Sequence, residues 1–175
     1  VISFNSAIGS CAKGGQTDYA LALLFQMAPL GVWPNVISFS SAINACSRTG
    51  QWESAMLLLH MMLPSAGVMP NNISFNSTIR ACTKEGQWEV ALALLVQMED
   101  MYLWPDVVSY TATIDTCGKC GQWKHALALL SQMWHRSVMP DPVCYSTAIA
   151  ACERGSQWAR ALGLLTQMRS EGLSP

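Results

Sequence analysis

Charge is what this sequence has least of: ten Lys or Arg and eleven Asp or Glu make up 12% of it, for a formal net charge of -1 at pH 7. The bulk charge therefore carries no nucleic-acid signal. Long apolar runs are missing as well. Ala20 to Phe25 and Ala91 to Val96 fall far short of the roughly 20 residues that span a bilayer, so no membrane partner is expected. There is no low-complexity tract, no long linker, and no cationic segment followed by a small-residue cleavage site. Residue 1 already sits in patterned sequence, so any targeting segment or terminal cap is expected outside this chain. What is abundant is apolar: 51% of the residues, ten Met among them, the composition of a soluble, helix-rich chain.

The run PNVISFSSAINACSRTGQW, beginning at Pro34, returns with small changes at Pro70, Pro105 and Pro140. Aligned on it, the chain divides into five units, 1–35, 36–71, 72–106, 107–141 and 142–175, the second one residue longer and the last one shorter. A period in this range predicts stacked helical repeats, each unit burying its apolar face against its neighbours.

Two amphipathic helices are predicted per unit. In the first, an aromatic, an Ile and a Cys recur at i, i+4 and i+7, as in Phe39, Ile43 and Cys46 or Tyr110, Ile114 and Cys117, which is one face of a 3.6-residue period. A glycine turn follows, at Gly14 with Gly15, Gly50, Gly86, Gly121 and Gly155. The second helix carries a stripe such as Trp52, Ala55, Met56, Leu59 and Met62, or Trp88, Ala91, Leu92, Leu95 and Met98. Trp52, Trp88, Trp123 and Trp158 are expected in the core, and Trp33 and Trp104 as plugs between repeats. Met27, Met62, Met98, Met133 and Met168 form a core stripe. Pro34, Pro70, Pro105, Pro140 and Pro175 close the copies, since proline cannot continue a helix interior.

Catalytic and metal chemistry find little support. His60, His125 and His135 occupy different repeat positions, and the acidic residues form no convergent cluster. Cys117 and Cys120 make a C-x-x-C with His125 nearby, but no second pair exists to complete a tetrahedral metal site. Five of the seven Cys are repeat residues, read as buried thiols. No enzyme, metal, cofactor or small-molecule substrate is expected.

None of the copies shows the W-x2-L-G-x2-Y of tetratricopeptide repeats. The order V-x-S-F/Y-N-x-x-I, then C-x-K/R-x-G-Q-W, then A-L-x-L-L-x-x-M, then P-N/D instead resembles the pentatricopeptide repeat family, in its plain P-type form, over the whole chain. The resemblance implies an all-α, right-handed α-solenoid superhelix. Its first helices would line a concave groove for single-stranded RNA, running parallel to the chain with one nucleotide per repeat. Base choice would fall to the fifth and last residues of each unit: Asn5 with Asn35, Ser40 with Asn71, Asn76 with Asp106, Thr111 with Asp141, and Ser146 with its partner missing. Ile2, Ile37, Ile73, Val108 and Val143 would wedge the bases, with inter-repeat packing as the alternative. Lys13, Arg48, Lys84, Lys119 and Arg154 share one slot and would contact phosphates. If all five do, log affinity falls with log salt at a slope of about -3.5, from ~0.7 per contact on a single strand. The alternative for that slot is a cation in the last turn of a helix, favourable by ~0.5 kcal/mol.

Side-chain chemistry gives the pairs a direction. An ionised Asp only accepts, which suits the ring N–H of uracil or guanine, whereas Asn can donate to adenine or cytosine. By the family's pattern, Ser or Thr at the fifth position goes with purines and Asn with pyrimidines. The chain is then expected to prefer 5'-CAUG(A/G)-3', the first base tolerating uracil. The last-position residues are also good helix N-caps, with Ser3, Ser38, Ser74 and Ser109 expected to compete for that role. Four bases recur about once per 256 random nucleotides, so further repeats or protein partners are expected beyond this chain. By resemblance the setting is a mitochondrion or plastid, and the work RNA stabilisation, processing or translation. The rival reading, a protein-binding scaffold without RNA specificity, gives no reason for Asn or Asp alone to follow Pro34, Pro70, Pro105 and Pro140.

Overall fold

The computed structural model describes residues 1–174; Pro175, read above as a closing proline, lies outside them. Among the described residues there are ten α-helices, one 3-10 turn and no strand. They are α1 (Ile2–Lys13), α2 (Thr17–Met27), α3 (Val36–Thr49), α4 (Trp52–Ala66), α5 (Asn72–Glu85), α6 (Trp88–Asp100), α7 (Val107–Lys119), α8 (Trp123–His135), α9 (Pro142–Arg154) and α10 (Trp158–Ser170). Each repeat holds one pair. None is long and apolar enough to cross a membrane.

Two units form, Val1–Glu85 and Gly86–Pro175, divided inside the third repeat between α5 and α6. In the first, α1, α3 and α5 lie side by side, with α2 packed on α1 and α3, and α4 on α3 and α5. In the second, α7 and α9 lie side by side, α6 packs on α7, α8 on both, and α10 on α9. First helices therefore pair with first helices inside each unit, which sets their N-terminal ends next to one another.

The core follows the 3.6-residue period. Ile8, Ile43, Ile79 and Ile114 are fully buried, as are Met27, Met62, Met98 and Met133. In the second helices the buried stripe is Ala55, Leu58, Leu59 and Met62, or Ala91, Leu94, Leu95 and Met98, so Leu58 and Leu94 take the places expected for Met56 and Leu92. The tryptophans depart further from expectation. Trp52, Trp88, Trp123 and Trp158 are the first residue of their helices, not part of the stripe, and Trp158 is 74% exposed. Trp33 and Trp104, expected as plugs, are 71% and 68% exposed.

The turn between paired helices needs one residue in the left-handed region: Gly15, Gly50, Gly86 and Gly121 supply it, and in the fifth copy Ser156 (φ 55°) does, one residue past the predicted Gly155. Gly155 has another duty. A Cβ there would sit 2.3 Å from Cδ1 of the Trp123 indole, so glycine lets this turn lie on the ring.

Candidate nucleic-acid interface

Every first helix after α1 begins just after a Pro-Asn or Pro-Asp step, and the last residue of each of the first four repeats becomes the N-cap of the next. Asn35 accepts from Ser38 N at 3.0 Å and Asn71 from Ser74 N at 3.0 Å, while Asp106 accepts from Ser109 N at 2.9 Å and Asp141 from Cys144 N at 2.8 Å, in each case through Oδ1. The Ser hydroxyls answer by accepting from the backbone N–H of Asn35, Asn71 and Asp106. This capping box corrects the expectation for Ser38, Ser74 and Ser109: they complete the cap instead of competing for it. Each such cap contributes about 1 kcal/mol.

Capping also fixes what remains for a ligand. Because a backbone N–H donates to Oδ1, the other terminal atom of an Asn must be its NH2 group, which settles the amide orientation. Among the described residues, Asn35 Nδ2, Asn71 Nδ2 and Asp141 Oδ2 have no hydrogen-bond partner in the protein. One atom of each side chain caps and its sister stays available. The first two junctions thus present donors, and the fourth an acceptor.

Among the fifth-position residues, Asn5 touches the cap of its own pair. Asn5 Nδ2 donates to Asn35 Oδ1 at 3.2 Å, the first predicted pair in direct contact. Ser40 Oγ is buried without a partner, a condition costing about 1–3 kcal/mol until something bonds it. Thr111 Oγ1 donates to Val107 O at 2.7 Å and Ser146 Oγ to Pro142 O at 2.8 Å. The third pair is divided between the two units, with Asn76 on α5, 8% exposed, and Asp106 ahead of α7. Ile2, Ile37, Ile73, Val108 and Val143 lie three residues before the fifth position and are 54% to 84% exposed. Such exposure does not fit the packing alternative. Ser146 and Val143 also share a shallow open cleft with Asp115, Pro142 and Thr147.

The five cations all lie exposed in the last turn of a first helix. In the first unit two of them reach across repeats: Arg48 Nη1 donates to Lys13 O at 3.3 Å and Lys84 Nζ to Arg48 O, closing the C-terminal end of the preceding helix. Lys119 instead pairs with Asp115 of its own helix at 2.7 Å. Sequence reasoning missed that carboxylate, which the i, i+4 spacing alone would have revealed.

Burial pushes the Cys46 and Cys82 thiols up to about 11 and Cys117 to about 12, which keeps them protonated at neutral pH and disfavours a nucleophilic role. Cys120 donates to Gly86 O at 3.2 Å, and His125 stacks on Trp88 with ring centroids 4.9 Å apart. No group of three His, Cys, Asp or Glu that could hold a metal occurs among the described residues.

The PPR repeat family model matches residues 34–84, 70–117 and 105–154, and the PPR repeat model matches 2–28 and 143–173. No curated protein sequence matches. Among solved structures, the pentatricopeptide repeat protein PPR10 from maize is 27% identical with a TM-score of 0.79, over 100% of this chain and 25% of that one. PPR10 in complex with an 18-nt psaJ RNA element is 26% identical with a TM-score of 0.76, over 98% and 25%. The PPR domain of Arabidopsis thaliana protein-only RNase P 1, solved in complex with tRNA, shares the fold at 18% identity and a TM-score of 0.78, over 96% and 88%. The chain spans a quarter of PPR10.

Proposed function

The chain belongs to the pentatricopeptide repeat family, and we propose that it binds single-stranded RNA sequence-specifically, one base per repeat, preferring 5'-CAUG(A/G)-3'. The observation that carries this reading is the division of labour within the last-position side chains. Their Oδ1 atoms cap helices, while Nδ2 of Asn35 and Asn71 and Oδ2 of Asp141 have no partner within the protein. An NH2 not engaged in capping complements the ring acceptor of cytosine or adenine, and a carboxylate oxygen not engaged in capping the ring N–H of guanine or uracil. The unpartnered hydroxyl of Ser40, the fifth-position residue paired with Asn71, supports a base there.

The exposed ladder Ile2, Ile37, Ile73, Val108 and Val143 supplies wedges between bases. Lys13, Arg48, Lys84 and Arg154 face the phosphates, while Lys119 is held by Asp115. Four contacts give a salt slope of about -2.8 at ~0.7 each. Its role is binding, in RNA stabilisation, processing or translation within a mitochondrion or plastid. Further repeats or protein partners extend the site. The test is filter binding of an RNA containing CAUGA against a shuffled sequence at moderate salt: at least tenfold tighter binding of the first is expected. Equal affinities would reject base reading, and binding to neither would favour a protein-binding scaffold.

A further inference from the structure

A base-reading amide or hydroxyl discriminates only if it is held in one orientation, and two junctions contain a group that does the holding. At the first, Ser38 on α3 is fully buried, and its Oγ donates to Asn5 Oδ1 at 2.6 Å. Asn5 Nδ2 meanwhile donates to Asn35 Oδ1. The Asn5 carboxamide is thereby gripped at both ends. At the fourth junction the equivalent residue is Cys144, fully buried, with Sγ 2.7 Å from Thr111 Oγ1. Thr111 Oγ1 also lies 2.7 Å from Val107 O, and with its single proton placed there the thiol donates and Thr111 accepts. The second junction lacks this link: Ser74 Oγ donates to Asn71 O at 2.8 Å, and Ser40 Oγ is left without a partner.

We propose that Ser38 and Cys144, the third residues of repeats two and five, are positioning residues for the base-reading pair of the preceding repeat and so determine specificity from outside the pair. The inference rests on the RNA reading above. Without the Ser38 hydroxyl, the Asn5 amide can turn over and exchange its donor and acceptor, which erodes discrimination at the first base. Without the Cys144 donor, Thr111 is no longer fixed as an acceptor. A fixed acceptor distinguishes guanine, which carries an amino group at C2, from adenine, which has hydrogen there. The two junctions differ in chemistry but share the geometry: a buried donor on the following helix locks the fifth-position side chain.

The experiment measures the affinities of the full chain for RNAs varied at the first base (NAUGA) or the fourth (CAUNA). For Ser38→Ala, the pyrimidine-over-purine ratio at the first base should fall roughly five- to tenfold, the worth of one buried hydrogen bond. The ratios at the second base should hold, and Ser38→Thr should restore the first. For Cys144→Ala, the guanine-over-adenine ratio at the fourth base should fall by a similar factor, with Cys144→Ser retaining it. If both alanine variants weaken every RNA alike and leave the ratios untouched, the residues are merely structural and the proposal is overturned. An unmodified chain without base preference would overturn the RNA reading itself, and this proposal with it.

Discussion

The two units are built from one repeat, yet they meet its demands differently. In Val1–Glu85 every left-handed position is glycine: Gly15, Gly31, Gly50 and Gly67. In the second unit Tyr102, Ser137 and Ser156 occupy such positions, each costing about 1 kcal/mol relative to glycine. The caps differ as well. Asn35 and Asn71 cap with neutral amides, whereas Asp106 and Asp141 cap with carboxylates that also gain from the helix macrodipole. Arg48 and Lys84 of the first unit close helix ends, while Lys119 in the second is tied to Asp115. A repeat thus fixes the core and leaves turns, caps and charges to vary. The variation at the caps is the variation that would carry sequence information.

That contrast can be broken most forcefully at Gly155. Gly155→Ala would drive a methyl into Trp123, held on its other contacts by Arg160 at 5.0 Å from the ring. A loss of about 2–3 kcal/mol is expected, read as a lower urea midpoint at unchanged slope. The aligned residue of the first unit, Thr49, already carries a side chain, so Thr49→Ala should cost far less. Gly50→Ala should follow at about 1–2 kcal/mol, because φ is +86° and its Cβ would meet Lys84 Cβ at 3.1 Å. In the other direction, Ser156→Gly should stabilise by about 0.5–1 kcal/mol and bring the last turn into line with the first unit. Smallest is Asp115→Asn. Freeing Lys119 should tighten RNA binding about two- to threefold for all sequences and steepen the salt slope from about -2.8 toward -3.5.

Much of the fold was legible because the helical period writes it five times. The Met series and the Ile series from Ile8 to Ile114 are buried where the spacing placed them, and each repeat holds its helix pair. The tryptophans were misjudged because size and apolarity do not reveal that a residue opens a helix: the cover of Trp123 comes from Gly155, a full repeat away. The left-handed turns after the second helices were hidden by Tyr102 and Ser137, which carry no glycine signal. At the candidate site the residue types pointed to the last position, but two of its features lie between repeats. The reciprocal Ser of the capping box depends on where the helix starts to within one residue. The links from Ser38 to Asn5 and from Cys144 to Thr111 join residues 33 apart, which no local pattern encodes.

The central claim is that one side chain caps with one atom and reads with the other. Asp141→Asn tests it most directly, since Asn keeps the Oδ1 cap on Cys144 N and replaces only the outward oxygen by NH2. The measurement is the affinity of the variant for CAUGA and CAUAA alongside its melting temperature. The account expects the fourth-base preference to move from guanine to adenine with melting within about 2 °C of the parent, a few tenths of a kcal/mol. Guanine still preferred, with only the melting temperature lowered, would contradict it and leave Asp141 a cap alone.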